Sequence, residues 1–104
     1  MVERPDATSG RWLVNNIMVG YLYIIYSELA GKYYIGSTID LDRRMAEHNS
    51  GKNIATKNKG KWELKFFQIY NDIKQARCIE YKIKKLKRRD IIEDIIENKI
   101  IKLK

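Results

Sequence analysis

The run "VGYLYIIYS", residues 19 to 27, carries no charged side chain and is built from aromatic, β-branched and other apolar residues. Such a run suits a strand buried on both faces, so the rest of the chain has to cover a sheet from two sides. "ELAGK" is a short turn in which Gly31 supplies a permissive backbone. "YYIGS", residues 33 to 37, then reads as a second strand, and the two predict an antiparallel hairpin. "WELKFFQIY", residues 62 to 70, predicts a third strand. Between them Asp40 is an N-cap, with Asp42 in the first turn, for a helix running to about Asn49 and stopped at Gly51. Asp72 caps a longer helix whose apolar residues Ala76, Ile79, Ile83 and Leu86 fall at 3-4-3 spacing, one buried stripe. A last helical stretch starts at Asp90 and carries Ile91, Ile92, Ile95 and Ile96, which need an apolar partner. The order β-β-α-β-α-α predicts an α+β fold, a small three-stranded antiparallel sheet flanked by helices.

A chain of 104 residues suits one domain, expected over residues 18 to 104. Residues 1 to 17, with the linker-like "RPDATSG", read as an N-terminal tail or extension. The apolar share of 44% is enough for a core and argues against a disordered chain. One cysteine, Cys78, and one histidine, His48, remove any disulfide framework and any Cys/His zinc site within the chain. No apolar run approaches the roughly 18 residues of a membrane span, and the first residues lack the apolar centre of a signal peptide. A cytoplasmic protein without a membrane partner is expected.

The net charge of +8 is concentrated. Residues 52 to 89 hold 13 basic residues against Glu63, Asp72 and Glu80, a local +10, which leaves −2 for the rest of the chain. Such a basic half is the electrostatic footprint of a polyanion binder. Its members are Lys57, Lys59 and Lys61 in a polar loop, and Lys82, Lys84, Lys85, Lys87, Arg88 and Arg89 on and after the long helix. These predict a phosphate-tracking surface. Trp62 is either core or a stacking platform for an unpaired base.

The predicted elements gather a second set of residues. Arg44 and His48 are four apart, one above the other on a helix face, while Leu41 and Met45 can pack down. Tyr23 and Tyr34 come close across the hairpin if the chain turns near Ala30. Glu80 lies at the margin of the buried stripe, where an ionised carboxylate could hold a hard cation. Each residue also has an ordinary role: strand packing for the tyrosines, ion pairing for Arg44 and for Glu80 with Lys84, helix-end hydrogen bonding for His48.

Together these residues resemble the GIY-YIG nuclease domain, in its small stand-alone branch. The second half of that motif is literal, Tyr34-Ile35-Gly36, and the first is degenerate, Tyr21-Leu22-Tyr23. Arg44 falls eight residues beyond Gly36, where the family keeps its catalytic arginine. "STIDLDRRMAEHNSG" and "GKWELKFFQIYNDIKQARCIEYKIK" follow the branch, and Glu80 matches the metal-binding glutamate. The resemblance covers about residues 20 to 89. It implies metal-dependent cleavage of phosphodiester bonds in DNA, in repair or recombination, with one Mg²⁺ or Mn²⁺ on Glu80. It further implies catalytic roles for Tyr23, Tyr34, Arg44 and His48, and close approach of the substrate backbone at Gly36. The late asparagine of many members has no clear counterpart, Asn98 standing in different surroundings. An alternative is a nucleic-acid-binding module with little catalysis. The isoleucine-rich C-terminal helix is a candidate surface for a protein partner.

Overall fold

The structure, a computed structural model, describes residues 3–5, 12–14 and 17–101, with side chains from Val19 onward. Three short strands, β1 (Glu3–Pro5), β2 (Trp12–Val14) and β3 (Ile17–Met18), pair antiparallel in a small sheet of their own. No element is predicted there from the sequence pattern. The main sheet holds β4 (Gly20–Ser27), β5 (Lys32–Thr38) and β6 (Trp62–Tyr70) in the order β5-β4-β6, all antiparallel. Helix α1 (Leu41–Ser50) lies between β5 and β6, and α2 (Ile73–Leu86) and α3 (Arg89–Asn98) follow β6. From residue 20 onward this is the α+β order β-β-α-β-α-α.

The uncharged run becomes the central strand. Leu22 and Ile24 point to one face, where Ile35, Phe66, Ile83 and Ile95 bury them beneath α2 and α3. Tyr23 and Ile25 point to the other, against Trp62, Tyr34 and the Leu41 and Met45 side chains of α1. Ile91, Ile92 and Ile96 of α3 pack against the first core, so the isoleucine-rich helix is covered by its own sheet. Leu86, predicted at the end of the buried stripe, is 42% exposed, because α2 ends there.

Local signals set the helix ends. Asp40 accepts the Arg43 amide at 3.1 Å and Asp72 the Gln75 amide at 2.9 Å, both as N-caps. Gly51 closes α1 in the left-handed conformation with φ 80°. Asp90 does not start α3. It sits inside the first turn and pairs with Arg88, the residue at the N-cap position, at 2.6 Å.

A bulge and a close approach shape the main sheet. The ladder between β4 and β6 passes from Ile24↔Phe66 to Ile25↔Leu64 and so skips Lys65, a bulge. An extra residue reverses the facing of everything beyond it, so Trp62, opposite Ser27, joins Tyr23 and Ile25 on the α1 side. Gly20 opens β4 where α2 begins. A Cβ there would meet the Ile73 Cα at 2.5 Å and the Asp72 carbonyl at 2.8 Å. Gly20→Ala is expected to destabilise the fold by about 1–3 kcal/mol through overpacking against backbone. A lower urea midpoint at unchanged slope is the expected reading, and an unchanged midpoint would contradict this packing.

Candidate active site

Tyr23 is fully buried, and its ring takes the space where a side chain on Gly36 would stand. The two residues face each other across the β4–β5 ladder. A Cβ on Gly36 would come within 2.3 Å of the Tyr23 hydroxyl oxygen and 2.4 Å of Cζ. The glycine expected to admit the substrate backbone therefore has another occupant. It admits the phenol.

The Tyr23 hydroxyl has two partners. His48 Nε2 lies 2.7 Å away, and Arg44 Nε donates to the hydroxyl oxygen at 3.4 Å. Both come from α1, whose Leu41 and Met45 pack against the same core. The i,i+4 spacing puts Arg44 one turn before His48, so the helix presents them to one atom. The Arg44 guanidinium is a third exposed and also donates to Glu47 at 3.1 Å. Arg43, beside it, is exposed, and its backbone amide is held by Asp40.

Tyr34 lies diagonally across the ladder, paired with Ile25. Its ring is 6.4 Å from that of Tyr23, 5.0 Å edge-on from that of His48, and 6.3 Å edge-on from that of Trp62. Trp62 is buried, and its indole N–H donates to the Thr56 carbonyl at 3.0 Å. Of the two roles expected for Trp62, the structure gives it core packing.

Burial raises the Tyr23 pKa to about 12, against the opposing pull of the Arg44 hydrogen bond. Burial, followed by the positive charge of Arg44, lowers the His48 pKa to about 4. At neutral pH the pair is therefore a phenol beside a neutral imidazole.

Glu80 approaches from the other side of the sheet. Ser37 Oγ donates to Oε1 at 2.5 Å and Lys84 Nζ donates to Oε2 at 2.6 Å. Ser37 alternates with Gly36 along β5 and so faces α2. Because β5 is an edge strand, Lys84 reaches round it to lie 5.2 Å over the Tyr34 ring. The negative charge of Glu80 contributes to raising the Tyr23 pKa, so the carboxylate and the phenol share one electrostatic field.

The carboxylate is a single hard ligand. Among the described residues no group of three His, Cys, Asp or Glu side chains could hold a metal. One carboxylate with a hydroxyl beside it fits an ion such as Mg²⁺, which keeps several waters and completes its shell with substrate phosphate.

The basic residues divide. Lys84, Lys87, Arg88 and Arg89 line a groove of about 360 Å³ together with Lys32, Tyr33 and Ile92. Arg89 sits 5.0 Å over Tyr33 and donates to the Gly31 carbonyl at 3.0 Å. Lys82 and Lys85 are exposed on α2 outside this lining, with Lys85 over Tyr81. Lys57 and Lys61 are exposed in the loop after α1, and Lys59 there is half-buried, its carbonyl accepting from the Ser27 hydroxyl. Asn98 bonds only to Asp94 of its own helix among the bonds described.

Residues 19–93 match the family model of the GIY-YIG catalytic domain. The chain belongs to the GIY-YIG family. The family is one of nucleases, and its domain implies contact with nucleic acid. The chain is 39% identical over 67 residues to a UPF0213 protein of Pectobacterium carotovorum, covering 64% of this chain and 67% of that one. It is 39% identical over 70 residues to the UPF0213 protein YhbQ of Escherichia coli, covering 66% and 69%. To a UPF0213 protein of Clostridium perfringens it is 32% identical over 85 residues, covering 81% and 89%. No solved structure matches the chain. No helix among the described residues is long and apolar enough to cross a membrane.

Four residues at this family site are not singled out by the sequence. Thr56 Oγ1 lies 2.8 Å from His48 Nδ1 and is itself buried. Asn49 ties the end of α1 to β6, accepting the Trp62 amide at 2.7 Å and donating to its carbonyl at 3.2 Å. Ser37 holds Glu80, and Glu47 holds Arg44. A motif spacing of one residue after "YIG" could have flagged Ser37. Thr56 has no signal of its own in a lysine-rich loop.

The buried imidazole has a measurable consequence. With a pKa of 6.5 unfolded and about 4 folded, the unfolded chain binds more protons between those values. Stability therefore falls as pH drops from about 6.5 towards 4, by a His48 contribution of about 2–3 kcal/mol. Urea unfolding from pH 7 to 4.5 should show the wild type losing more stability than His48→Gln. Parallel losses in the two proteins would contradict a buried neutral imidazole.

Proposed function

We propose that the protein is a metal-dependent endonuclease that hydrolyses phosphodiester bonds in DNA, structured or damaged DNA being the substrate class in repair or recombination. The observation that carries this reading is the convergence of Arg44 and His48 on the hydroxyl of a buried tyrosine. It joins a phosphate-binding cation, a proton carrier and a neutral base at one atom.

Arg44 reaches Tyr23 from the solvent side, tied to Glu47. A scissile phosphate competes with Glu47 for the guanidinium, whose planar fork suits the charge that develops in a pentavalent transition state. Movement of Arg44 towards phosphate uncovers the Tyr23 hydroxyl to the attacking water. As the water oxygen bonds to phosphorus, its proton passes to the Tyr23 oxygen, and the tyrosine's own proton passes to His48 Nε2. No free phenolate is needed, which matters for a group whose pKa is pushed up to about 12. Tyr34, with Lys84 over its ring, orients the water or the phosphate.

Glu80 and Ser37 are the residues that would hold one Mg²⁺ or Mn²⁺. That ion, when bound, neutralises charge on the phosphate and stabilises the leaving oxygen. Lys84 bonds the Glu80 carboxylate and would share it with such an ion. The groove lined by Lys32, Lys84, Lys87, Arg88 and Arg89 leads away from this point and tracks the DNA backbone, with Lys57, Lys59, Lys61, Lys82 and Lys85 as outer contacts. Affinity should fall steeply with salt because binding releases counterions.

The test is cleavage of supercoiled plasmid, branched DNA and single-stranded DNA in Mg²⁺, Mn²⁺ or EDTA, with Arg44→Ala and Glu80→Ala beside the wild type. Metal-dependent nicking that falls by about 10²-fold or more in each variant is expected. Binding without cleavage on every substrate, unchanged by Glu80→Ala, would make the protein a nucleic-acid-binding module instead.

A further inference from the structure

The hydrogen bonds around His48 can be given directions. The Tyr23 oxygen accepts from Arg44 Nε, which can only donate. Its own O–H must also donate, because Tyr23 is fully buried and a hydroxyl proton left unpaired away from water is costly. The acceptor in reach is His48 Nε2 at 2.7 Å. A neutral imidazole accepting at Nε2 carries its proton on Nδ1. That N–H faces Thr56 Oγ1 at 2.8 Å, which therefore accepts. The Thr56 hydroxyl proton then turns to the Asn53 carbonyl, 3.4 Å from Oγ1. Every bond runs one way, from Arg44 through Tyr23, His48 and Thr56 to a backbone carbonyl. The reverse tautomer would leave the Tyr23 O–H with no acceptor.

Thr56 is built to hold this position. Its amide donates to the Asn53 carbonyl at 3.2 Å, and its own carbonyl accepts the Trp62 indole N–H at 3.0 Å. Asn53 Oδ1 accepts the Ala55 amide at 2.9 Å and closes the turn. Thr56 is 1% exposed in a loop whose neighbours Ala55 and Lys57 are exposed. A threonine facing inward from a lysine-rich loop, clamped on both sides of its backbone, has a task distinct from phosphate contact.

We infer that Thr56 is a positioning residue of the active site: with its own proton turned to the Asn53 carbonyl, its hydroxyl accepts from Nδ1 and, together with the Tyr23 O–H at Nε2, holds His48 in the Nδ1–H tautomer with Nε2 aimed at the proton of Tyr23. This rests on the nuclease reading for its catalytic consequence and on geometry alone for the tautomer. It has the logic of a three-part relay in which the outermost member orients an imidazole it does not deprotonate.

The chain has one histidine, so the imidazole signals of the untagged ¹⁵N-labelled protein belong to His48. Long-range ¹H–¹⁵N spectra at pH 7 should show a protonated Nδ1 and a bare Nε2. Thr56→Val removes the hydroxyl, with its bonds to both His48 and Asn53, at nearly constant volume and should move the proton wholly or partly to Nε2. Thr56→Ser should keep the wild-type pattern. In plasmid cleavage, Thr56→Val should lower kcat by about 10- to 100-fold, the usual cost of losing an orienting partner. Its affinity for the same DNA in EDTA should stay within about twofold of wild type, and Thr56→Ser should recover most of kcat. A merely structural role would move stability and affinity but not the tautomer.

An Nε2–H imidazole in the wild type would overturn the proposal, whether or not the valine variant folds. So would a Thr56→Val protein that keeps the Nδ1–H pattern, or serine and valine variants equally slow. If the wild type cleaves no DNA, the nuclease reading fails, and the tautomer spectra still decide the role of Thr56.

Discussion

A tyrosine hydroxyl with no access to water must find all of its hydrogen bonds inside the protein, and the site is arranged around that demand. Tyr23 lies on the central strand, which is buried on both faces. Gly36 vacates the space its ring fills. Helix α1 supplies Arg44 to donate to it and His48 to accept from it. The loop after α1 supplies Thr56, and Trp62 holds that loop down. An unpaired buried hydroxyl costs about 1–3 kcal/mol, so each partner stabilises the fold as well as the site.

The two faces of the sheet divide the chemistry. Tyr23, Arg44 and His48 meet on the α1 side, and the Glu80 carboxylate projects from α2 on the other. The narrow sheet makes this workable. Strand β5 is an edge strand, and Lys84 spans it, touching Glu80 on one side and lying over Tyr34 on the other. The two halves therefore meet at a strand edge. The basic groove begins at the same edge, so local charge and access favour one direction of approach. The surface ion pairs along it, Arg88–Asp90 and Arg89–Glu93, are exposed and contribute little to stability.

Much of this arrangement is written in local sequence signals. The strands of the main sheet, the caps at Asp40 and Asp72 and the stop at Gly51 follow from residue type and spacing. So does the closeness of Tyr23 and Tyr34, once the turn is placed near Ala30. The rest depends on tertiary geometry that spacing does not encode. The bulge at Lys65 turns Trp62 to the α1 side, yet "WELKFF" reads the same with or without it. Thr56 matters because Trp62 is there to hold its loop. Gly36 looks like room for a ligand until the ring opposite it is known. Asp90 reads as the first residue of the last helix, and the helix begins one residue earlier, at Arg89. The strands in residues 3 to 18 are two or three residues long, too short to raise a periodic signal.

One oxygen atom, that of the Tyr23 hydroxyl, carries the proposed chemistry. Tyr23→Phe removes it and leaves the ring that packs over Gly36. Single-turnover cleavage of DNA in saturating Mg²⁺, with affinity for the same DNA measured in EDTA, isolates its role. The predicted result is cleavage slowed by at least about 10²-fold with affinity unchanged, as expected when a group acts only in the transition state. Cleavage at the wild-type rate would contradict that role.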